Sequence, residues 1–257
     1  MGKIYTIVNQ KGGVGKTTTA VNLSSALHQM GMKTLMVDFA PQANAPSGLG
    51  IEKRKIKRSV YDVVVNGENV ENVILSTPYG DVVPSSADLA GAAVELIGID
   101  HREKQLKKAL EPLKDRYDAI FIDCPPSLEL LTLNGLCAAD GIIVPVQCEY
   151  YALEGLSDLM RTMRMVKQRL NPRLEMFGVI LTMFDGRTNF SNQVAEEVRR
   201  HFPGKVFASV IPRNVRLAEA PSHGIPVQVY DKYSRGAKAY QQLAEEFYAK
   251  IQATSKN

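Results

Sequence analysis

The hydrophobic pattern of this chain is dominated by short, continuous apolar runs. Six such runs are predicted as strands: 4–8, 34–38, 119–123, 141–146, 177–181 and 206–211. Two shorter segments, 73–76 and 82–84, are also predicted as strands. A strand that is apolar along its whole length is buried on both faces, which is typical of a parallel sheet. The pattern therefore predicts a sheet that is covered on both sides.

Segments of helical character alternate with these strands. They are 19–30, 87–97, 102–113, 128–138, 152–170, 191–202 and 236–251, whereas 60–65 fits a helix or a strand equally well. This alternation predicts an α/β fold, a doubly wound, mostly parallel sheet with helices on both faces. Since no repeat, low-complexity segment or linker interrupts it, residues 1–257 are predicted to form a single domain. The ligand of such a fold binds at the carboxyl ends of the strands.

A glycine-rich loop joins the first strand to the first helix. Residues 9–18 read Asn-Gln-Lys-Gly-Gly-Val-Gly-Lys-Thr-Thr, so the candidate nucleotide-binding residues here are Lys11, Gly12, Gly13, Val14, Gly15, Lys16, Thr17 and Thr18. Three glycines let successive amide groups face one anion at the positive end of a helix dipole. Lys16 adds a point charge for the β- and γ-phosphates, and the Thr17 hydroxyl is a candidate Mg²⁺ ligand. The loop therefore predicts a nucleoside triphosphate site.

The match to the general phosphate-loop pattern is imperfect. That pattern has glycine six residues before the lysine, where this chain has Gln10, and a second lysine, Lys11, precedes the glycines. At these residues the chain resembles the deviant Walker A family, which includes the ParA/Soj partition ATPases and MinD. The resemblance implies ATP and Mg²⁺ as cofactors, and it implies that Lys11 reaches the nucleotide of a partner subunit across a dimer interface.

Two acidic residues end predicted strands. Asp123 follows four apolar residues and precedes Cys-Pro-Pro-Ser, and a carboxylate there can accept a hydrogen bond from water on Mg²⁺. An isolated acid in this position could instead cap the following turn. Beside the phosphate loop the metal role is favoured, and the resemblance implies that Asp123 is the Walker B acid. Asp38 ends an earlier strand at the same edge of the sheet.

Position 40 departs from the family pattern. Residues 38–44 read Asp-Phe-Ala-Pro-Gln-Ala-Asn, whereas the resembling partition ATPases carry an acid at the position of Ala40. That acid is associated with hydrolysis, and a methyl group can neither orient nor polarise an attacking water. We therefore predict that this chain binds ATP but hydrolyses it poorly. A deliberate substitution and a natural variant both remain open. The candidate catalytic set is Lys11, Lys16, Asp38, Asp123 and the vacated acidic position Ala40.

Two later segments extend the resemblance to the whole chain. Residues 212–224 match a segment that borders the adenine in Soj-type proteins, which implies nucleotide contacts for Pro212, Arg213 and Asn214. Residues 147–155, which include Glu149, match the same branch near its dimer interface, and Glu149 is counted with the nucleotide-binding residues. The chain thus resembles a Soj/ParA-type chromosome partition ATPase. Its implied partners are a second copy in ATP, nonspecific double-stranded DNA and a ParB-type protein, and a replication initiator is left open.

Composition sets weaker bounds. A 257-residue chain with 45% hydrophobic residues can bury a full core, and its net charge of +4 permits a polyanionic partner without requiring one. Three cysteines without a C-x-x-C pair favour neither a disulfide framework nor a zinc site. The chain enters its first strand without a charged and apolar leader, and no apolar run approaches about 18 residues. A cytoplasmic, nucleoid-associated protein with no membrane partner is expected.

Arg187 and Arg216 are the candidate DNA-binding residues, because they match positions implicated in nonspecific DNA binding in Soj relatives. Arginines on one face of a dimer would bind phosphates without reading sequence. Two alternatives remain. A MinD-like membrane helix would use the apolar stripe of residues 240–251, but the polar face of that stripe carries Gln and Glu rather than Lys and Arg. A small-molecule phosphotransferase would need an acceptor pocket beside the nucleotide.

Overall fold

The computed structural model describes residues 1–149 and 152–254, and its centre is a seven-stranded sheet. The strands are β1 (Lys3–Ile7), β2 (Thr34–Asp38), β3 (Leu75–Thr77), β4 (Gly80–Val83), β5 (Ala119–Asp123), β6 (Gly141–Gln147) and β7 (Glu175–Thr182). Their order across the sheet is β3-β4-β2-β5-β1-β6-β7. Every neighbouring pair is parallel except the edge hairpin of β3 and β4. This confirms the predicted fold class.

Helices cover both faces of the sheet. They are α1 (Lys16–Gln29), α2 (Val60–Val64), α3 (Ala92–Glu95), α4 (Gln105–Leu110), α5 (Leu130–Ala138), α6 (Ala152–Arg169), α7 (Asn189–His201), α8 (Val215–Glu219), α9 (Val227–Tyr230) and α10 (Arg235–Thr254). One core layer contains buried side chains of α2, α4, α5 and α6, and the other contains those of α1 and α10. Strands β2 and β5 are buried at every position, as continuous apolar runs require.

The ambiguous segment 60–65 is helical, and its cap explains why. Ser59 precedes α2 with its hydroxyl accepting from the Tyr61 amide, while the Asp62 carboxylate accepts from the Ser59 amide at 2.8 Å. This reciprocal capping box satisfies amide groups that a helix start leaves without partners. The apolar side chains of α2 are then buried against the sheet.

Two predicted helices are interrupted. Segment 87–97 divides into 3₁₀ turns at Ala87–Ala90 and Leu96–Gly98 with only α3 between them. Segment 102–113 narrows to α4, because Pro112 lies in the 3₁₀ turn Glu111–Asp115 that follows. Proline has no amide hydrogen for the helical ladder, so the α-helix ends before it.

The predicted strand at 206–211 is wrong. The segment runs beside β7, but it pairs there only through an isolated bridge at Val206, and Phe207 and Ile211 donate their amides to β7 carbonyls. Between them, the Ala208 and Ser209 amides donate to the carboxylate of Glu246 on α10, at 2.7 and 3.0 Å. A side chain thus replaces the strand partner, and a regular ladder does not form.

Helix α10 packs as part of the core. Tyr240, Leu243 and Phe247 are buried, and the Phe247 ring lies 5.0 Å from that of Tyr5 and 5.5 Å from that of Phe121. Its apolar stripe therefore faces the sheet. In the described part of the chain, no helix has the length and apolar character that a membrane crossing requires.

Candidate functional site

The conformation of the loop between β1 and α1 depends on its glycines and on hydrogen bonds to the neighbouring strands. Gly13 and Gly15 have φ values of 73° and 90°, a region that side chains other than glycine rarely adopt. Asn9 accepts from the Lys11 amide at 2.9 Å and donates to the Pro145 carbonyl at 2.7 Å. The Thr182 hydroxyl donates to the Val14 carbonyl at 2.9 Å. These contacts hold the loop at the start of α1, where the helix dipole favours an anion.

Lys16 lies inside this loop. Its side chain is buried, and its ammonium donates to the Lys11 carbonyl at 2.9 Å, so the charge lies within the curve of the loop. Burial lowers the pKa of Lys16, while the nearby Asp123 carboxylate opposes this shift. A cation placed here is suited to neutralise the terminal phosphates of a nucleotide.

Lys11 points instead toward β6. Its ammonium forms an ion pair with Glu149 at 3.0 Å, and both side chains are roughly half exposed. Gln147, at the end of β6, donates to the other oxygen of Glu149. The structure thus brings Glu149 to the phosphate loop, which the sequence had placed there only by resemblance. The matching segment 147–155 includes residues 150 and 151, which lie outside the described residues.

Thr17 and Asp123 meet at the carboxyl ends of β1 and β5. The Thr17 hydroxyl donates to one carboxylate oxygen of Asp123 at 2.6 Å. The other oxygen is buried without a hydrogen-bond partner among the described residues. Burial raises the pKa of Asp123 to about 6. A hydroxyl and an unsatisfied carboxylate oxygen beside a phosphate loop fit Mg²⁺, which takes few protein ligands and completes its shell with phosphate and water.

The described residues contain no cluster of three or more His, Cys, Asp or Glu side chains suited to a metal ion. A metal held here would therefore depend on the nucleotide for further ligands.

Asp38 organises the loop that follows β2. It lies directly across from Asp123 in the register of β2 and β5 and is fully buried. Its two carboxylate oxygens accept from the amides of Ala40 and Ala45, each at 3.1 Å. Burial, and secondarily the Asp123 charge, raises the pKa of Asp38 to about 8. One carboxylate thus links residues 40 and 45 of this loop.

We call residues 39–50 the switch loop. Ala40 is buried there, and its backbone amide is engaged by Asp38. On the outer side, the Lys53 ammonium donates to the Gln42 carbonyl at 2.8 Å and to the Asn44 side chain at 3.2 Å. Sequence reasoning missed Lys53, because a lysine in a basic segment gives no sign of a specific partner.

A cavity of about 380 Å³ opens beside the phosphate loop. Its lining includes Pro212, Arg213 and Asn214, together with Gly15 and Thr18 of the loop. The remaining wall is formed by Thr182, Met183, Ile211, Val215, Leu217, Ala218 and Tyr240. The walls are mostly apolar, which suits a flat heterocycle. The three residues predicted near the adenine are therefore brought next to the phosphate loop.

Met183 and Tyr240 were not anticipated from the sequence. Met183 ends the run that forms β7 and has a positive φ of 50°, and Tyr240 comes from α10, where its hydroxyl meets that of Thr19 at 3.1 Å. The position of Met183 after a strand was an available signal. Nothing local in the sequence assigns Tyr240 to this cavity.

A second cavity of about 420 Å³ lies on the other side of Thr18. It is lined by Thr17, Thr18, Val21 and Asn22 of α1, by Asn44, Ser47 and Gly48 of the switch loop, and by Ala220, Pro221, Ser222 and Ile225. The two cavities therefore flank the start of α1.

Arg187 lies in the loop that follows β7, and Arg216 lies in α8, which follows a neighbouring loop. A bridge between Phe184 and Pro212 joins the start of the two loops. Arg187 forms a two-point ion pair with Asp185, and Arg216 pairs with Glu219 at 2.7 Å and with Asp231 at 3.3 Å. Neither arginine is in the group that lines the first cavity.

Comparison with known proteins agrees with this geometry. A family model described as an AAA domain matches residues 2–176. The chain is 55% identical over 251 residues to the sporulation initiation inhibitor protein Soj of Bacillus subtilis, covering 97% of this chain and 99% of that protein. It is 52% identical over 248 residues to the chromosome partitioning protein ParA of Myxococcus xanthus, covering 96% of this chain and 88% of that protein.

A solved structure shows the same fold with a ligand. The cobyrinic acid a,c-diamide synthase of Mycobacterium smegmatis, with bound ADP and magnesium, has a TM-score of 0.83 and 37% identity to this chain, covering 95% of this chain and 93% of that one. The full-length match to the partition proteins at higher identity confirms the resemblance seen in the sequence motifs. The chain belongs to the Soj/ParA family of chromosome-partitioning ATPases.

Proposed function

We propose that residues 1–257 act as a single ATP-dependent module of chromosome partition. Lys16 and the amides of residues 12–17 hold the phosphates, while the apolar cavity beside Pro212 holds the adenine. Thr17 and Asp123 contribute the protein ligands of Mg²⁺, which neutralises phosphate charge when bound. The observation that carries this proposal is the Thr17–Asp123 pair at 2.6 Å, with a free carboxylate oxygen, beside a glycine loop with a buried lysine.

Dimerisation follows from the other lysine. Lys11 is roughly half exposed and pairs with Glu149 in its own chain, so its ammonium can exchange that partner for a phosphate of a second subunit. An exposed ion pair contributes at most about 1 kcal/mol, so this exchange has a low cost. ATP would then bring two chains together in a sandwich dimer, with each Lys11 completing the partner's site.

Hydrolysis is the step that Ala40 would impair. Ala40 has only a methyl side chain, and its amide already donates to Asp38. Because residue 40 is not an acid, it cannot orient a water molecule for in-line attack on the γ-phosphate. We infer that the ATP-bound dimer of this chain is long-lived.

DNA binding and release complete the proposed cycle. Dimer closure would join the two surfaces that carry Arg187 and Arg216 into one that binds double-stranded DNA through its phosphates, independent of sequence. A ParB-type partner would stimulate hydrolysis and so release the DNA. The family of partition proteins to which the chain belongs supports this assignment, and a nucleoid-associated location in the cytoplasm follows from it.

Light scattering tests the proposal directly. The solution mass is measured with Mg-ATP, with Mg-ADP and without nucleotide, and the bound nucleotide is identified after an hour. We expect a dimer in ATP alone, with its ATP intact. A monomer in all three conditions would contradict the role of Lys11, and a dimer that converts its ATP to ADP would contradict the role of Ala40 while leaving the partition function in place.

A second candidate is an enzyme that transfers phosphate to a small molecule. Two observations favour it: the similarity to a cobyrinic acid a,c-diamide synthase and the second cavity, whose walls carry Asn22, Asn44 and Ser47. Such an enzyme would not need DNA. Salt-sensitive retention on nonspecific DNA in ATP but not in ADP therefore separates the two functions, and failure to retain would favour this second candidate.

A MinD-like membrane helix has less support. The apolar side chains of α10 that such a helix would insert in a bilayer are buried against β1 and β5 instead.

A further inference from the structure

Both arginines of the proposed DNA surface are engaged by carboxylates of their own chain. The Asp185 carboxylate accepts from Arg187 Nε at 2.9 Å and from Arg187 Nη2 at 2.7 Å. Arg187 itself is largely exposed, with 90% of its side chain accessible. A residue with this much freedom in solvent is thus held in one orientation by a two-point contact, which is the strongest geometry available to an arginine.

Arg216 is held by two carboxylates rather than one. Glu219 accepts from Nη1 at 2.7 Å, and Asp231 approaches Nε at 3.3 Å. The Tyr230 hydroxyl donates to the same Glu219 oxygen at 3.2 Å, and the Tyr230 ring lies 6.0 Å from the guanidinium carbon. The guanidinium is therefore fixed within a small acidic and aromatic cluster.

These acids also have local roles that are independent of the arginines. Asp185 accepts from the Arg187 amide at 3.2 Å, and Asp231 accepts from the amides of Tyr233 and Ser234, each at 3.1 Å. An asparagine keeps one oxygen for these amides while losing the charge. The charge can thus be tested without removing the turn that each residue stabilises.

Charge balance decides what the pairs do to DNA binding. The sequence-independent affinity of a protein for DNA depends on how many phosphates its positive charges neutralise, because each neutralised phosphate releases a condensed counterion. An arginine that is paired with a carboxylate contributes little net positive charge. A DNA phosphate that approaches the arginine is also repelled by the negative charge of the carboxylate. The ion pair also orders the arginine side chain. In Arg187, however, Nε and Nη2 already donate to Asp185, so the guanidinium has fewer N–H donors left for a phosphate.

We propose that Asp185, Glu219 and Asp231 act as counter-charges that keep the affinity of Arg187 and Arg216 for DNA phosphates low. The inference rests on the proposed function, since it assigns a regulator to the same DNA surface. The acids keep the DNA affinity of the ATP-bound dimer low enough for the dimer to dissociate from DNA. They would also make the surface tunable, since any partner that places a cation against these acids frees the arginines.

The test measures fluorescence anisotropy of a labelled duplex of arbitrary sequence, with Mg-ATP, at salt concentrations from 0.05 to 0.3 M. The variants Asp185→Asn and Asp231→Asn each remove one counter-charge. We expect each to tighten DNA binding about three- to tenfold at 0.1 M salt, the effect of one charge near a phosphate in screened solvent. The slope of log affinity against log salt should steepen by about one.

The matched control is Glu71→Gln. Glu71 pairs with Arg116 at 2.8 Å, with both side chains about half exposed, and Arg116 precedes the amino end of β5, at the opposite edge of the sheet. It changes net charge by the same amount and should alter DNA affinity less than twofold. The ATP-dependent mass of each variant, measured by light scattering, verifies that it is folded.

The variants Arg187→Ala and Arg216→Ala test the DNA surface separately from the role of the acids. If these variants bind DNA as the parent does, the proposed DNA surface itself is wrong. If they weaken binding while Asp185→Asn and Asp231→Asn leave it unchanged or weaken it, the surface stands and the counter-charge proposal is overturned, because the acids would then only position the arginines. Glu219→Gln, which keeps an acceptor for Tyr230, is an independent variant on α8 and should likewise tighten DNA binding.

Discussion

At the scale of single residues, the backbone of position 40, rather than its side chain, makes the contact that holds the switch loop. The path of the switch loop is set by Asp38, whose carboxylate binds the amides of Ala40 and Ala45. Because these contacts involve the backbone, an alanine and an acid at position 40 are both compatible with the same loop. We therefore expect that a substitution there tests the proposed role in hydrolysis without changing the fold.

Ala40→Asp should restore hydrolysis. A carboxylate at this position can orient and polarise a water at the γ-phosphate, and such groups contribute on the order of 10²-fold or more to rate. We expect ADP production from Mg-ATP to rise by about that factor, measured in single-turnover reactions. The control is Ala40→Asn, which adds similar volume without a base. Equal turnover in the three proteins would show that position 40 does not limit hydrolysis.

The raised pKa of Asp38 predicts a pH-dependent stability. An unfolded aspartate ionises near pH 3.8, whereas burial raises the pKa of folded Asp38 to about 8. Between these values the native state binds more protons than the unfolded state, so the free energy of unfolding falls as pH rises. The loss amounts to at most about 1.4 kcal/mol per pH unit for one group.

Asp38→Asn should weaken that dependence, since an amide does not ionise. Urea unfolding without nucleotide or Mg²⁺ at pH 5, 6, 7 and 8 measures it, and Asp100→Asn, at an exposed acid, is the control. We expect the stability of Asp38→Asn relative to the parent to increase from pH 5 to pH 8. A difference that stays constant over this range would mean that Asp38 is ionised in the folded protein throughout.

The candidate site was predictable where its chemistry is local. The sequence indicated that residues 11–18 and Asp123 lie close together, since glycine spacing, a lysine and a strand-end acid each carry a physical meaning, and the Thr17–Asp123 contact agrees. The contact between Lys11 and Glu149 could not be predicted, because it joins positions 138 apart and depends on the order of β1 and β6 in the sheet. Tyr240 was missed for a similar reason, since its partner Thr19 is 221 positions away, whereas Lys53 was missed because a lysine in a basic segment gives no sign of a specific partner.

At the scale of elements, strands buried on both faces were predicted most accurately. The bounds of β2 and β5 match the prediction, since a run of apolar residues ending in an acid has few alternatives in a parallel sheet. Segment 60–65 needed a second signal, the capping residues Ser59 and Asp62, to decide between helix and strand. Segment 206–211 has a strand pattern and lacks a strand ladder, because its partner is a side chain from a distant helix.

That partner predicts a specific effect on stability. Glu246 of α10 accepts hydrogen bonds from the Ala208 and Ser209 amides. Glu246→Ala leaves both amides to solvent, and hydrogen bonds to a charged group contribute about 1.5–3 kcal/mol when well formed. Since the contact is partly exposed, we expect a loss of about 1–2 kcal/mol in the free energy of unfolding by urea.

The adjacent residue provides the control for this prediction. Glu245 is exposed on the same helix, and its carboxylate contacts only Gln241 in the hydrogen bonds described. Glu245→Ala removes the same charge from the same turn and should change stability by less than about 0.5 kcal/mol. If both substitutions had equal effects, the loss would arise from the helix and its charge rather than from the bridge to residues 208 and 209.

At the scale of the whole molecule, the parallel sheet explains why separate segments form one site. The carboxyl ends of β1, β2 and β5 lie side by side, so the phosphate loop, Asp38 and Asp123 must converge. This convergence was predictable from strand type alone. The proposed role of Lys11 between subunits rests on family resemblance instead, since within one chain its ammonium pairs with Glu149.

Substitutions of the two lysines of the loop should therefore have different effects. Lys16 is buried within the loop, whereas Lys11 is roughly half exposed and paired with Glu149. Lys16→Ala should weaken ATP binding about 100-fold, the effect of losing about 3 kcal/mol of charge-assisted hydrogen bonding. Lys11→Ala should bind ATP within about threefold of the parent, since one exposed ion pair has little effect on a monomer, yet remain monomeric.

Binding of a fluorescent ATP analogue and solution mass measured on the same samples separate these outcomes. Lys33→Ala, at an exposed lysine before the amino end of β2, is the control and should change neither quantity. A Lys11→Ala dimer in ATP would show that the lysine does not act between subunits. Undiminished ATP binding by Lys16→Ala would instead contradict the phosphate site itself, because no other ammonium among the described residues of the loop lies buried beside Asp123.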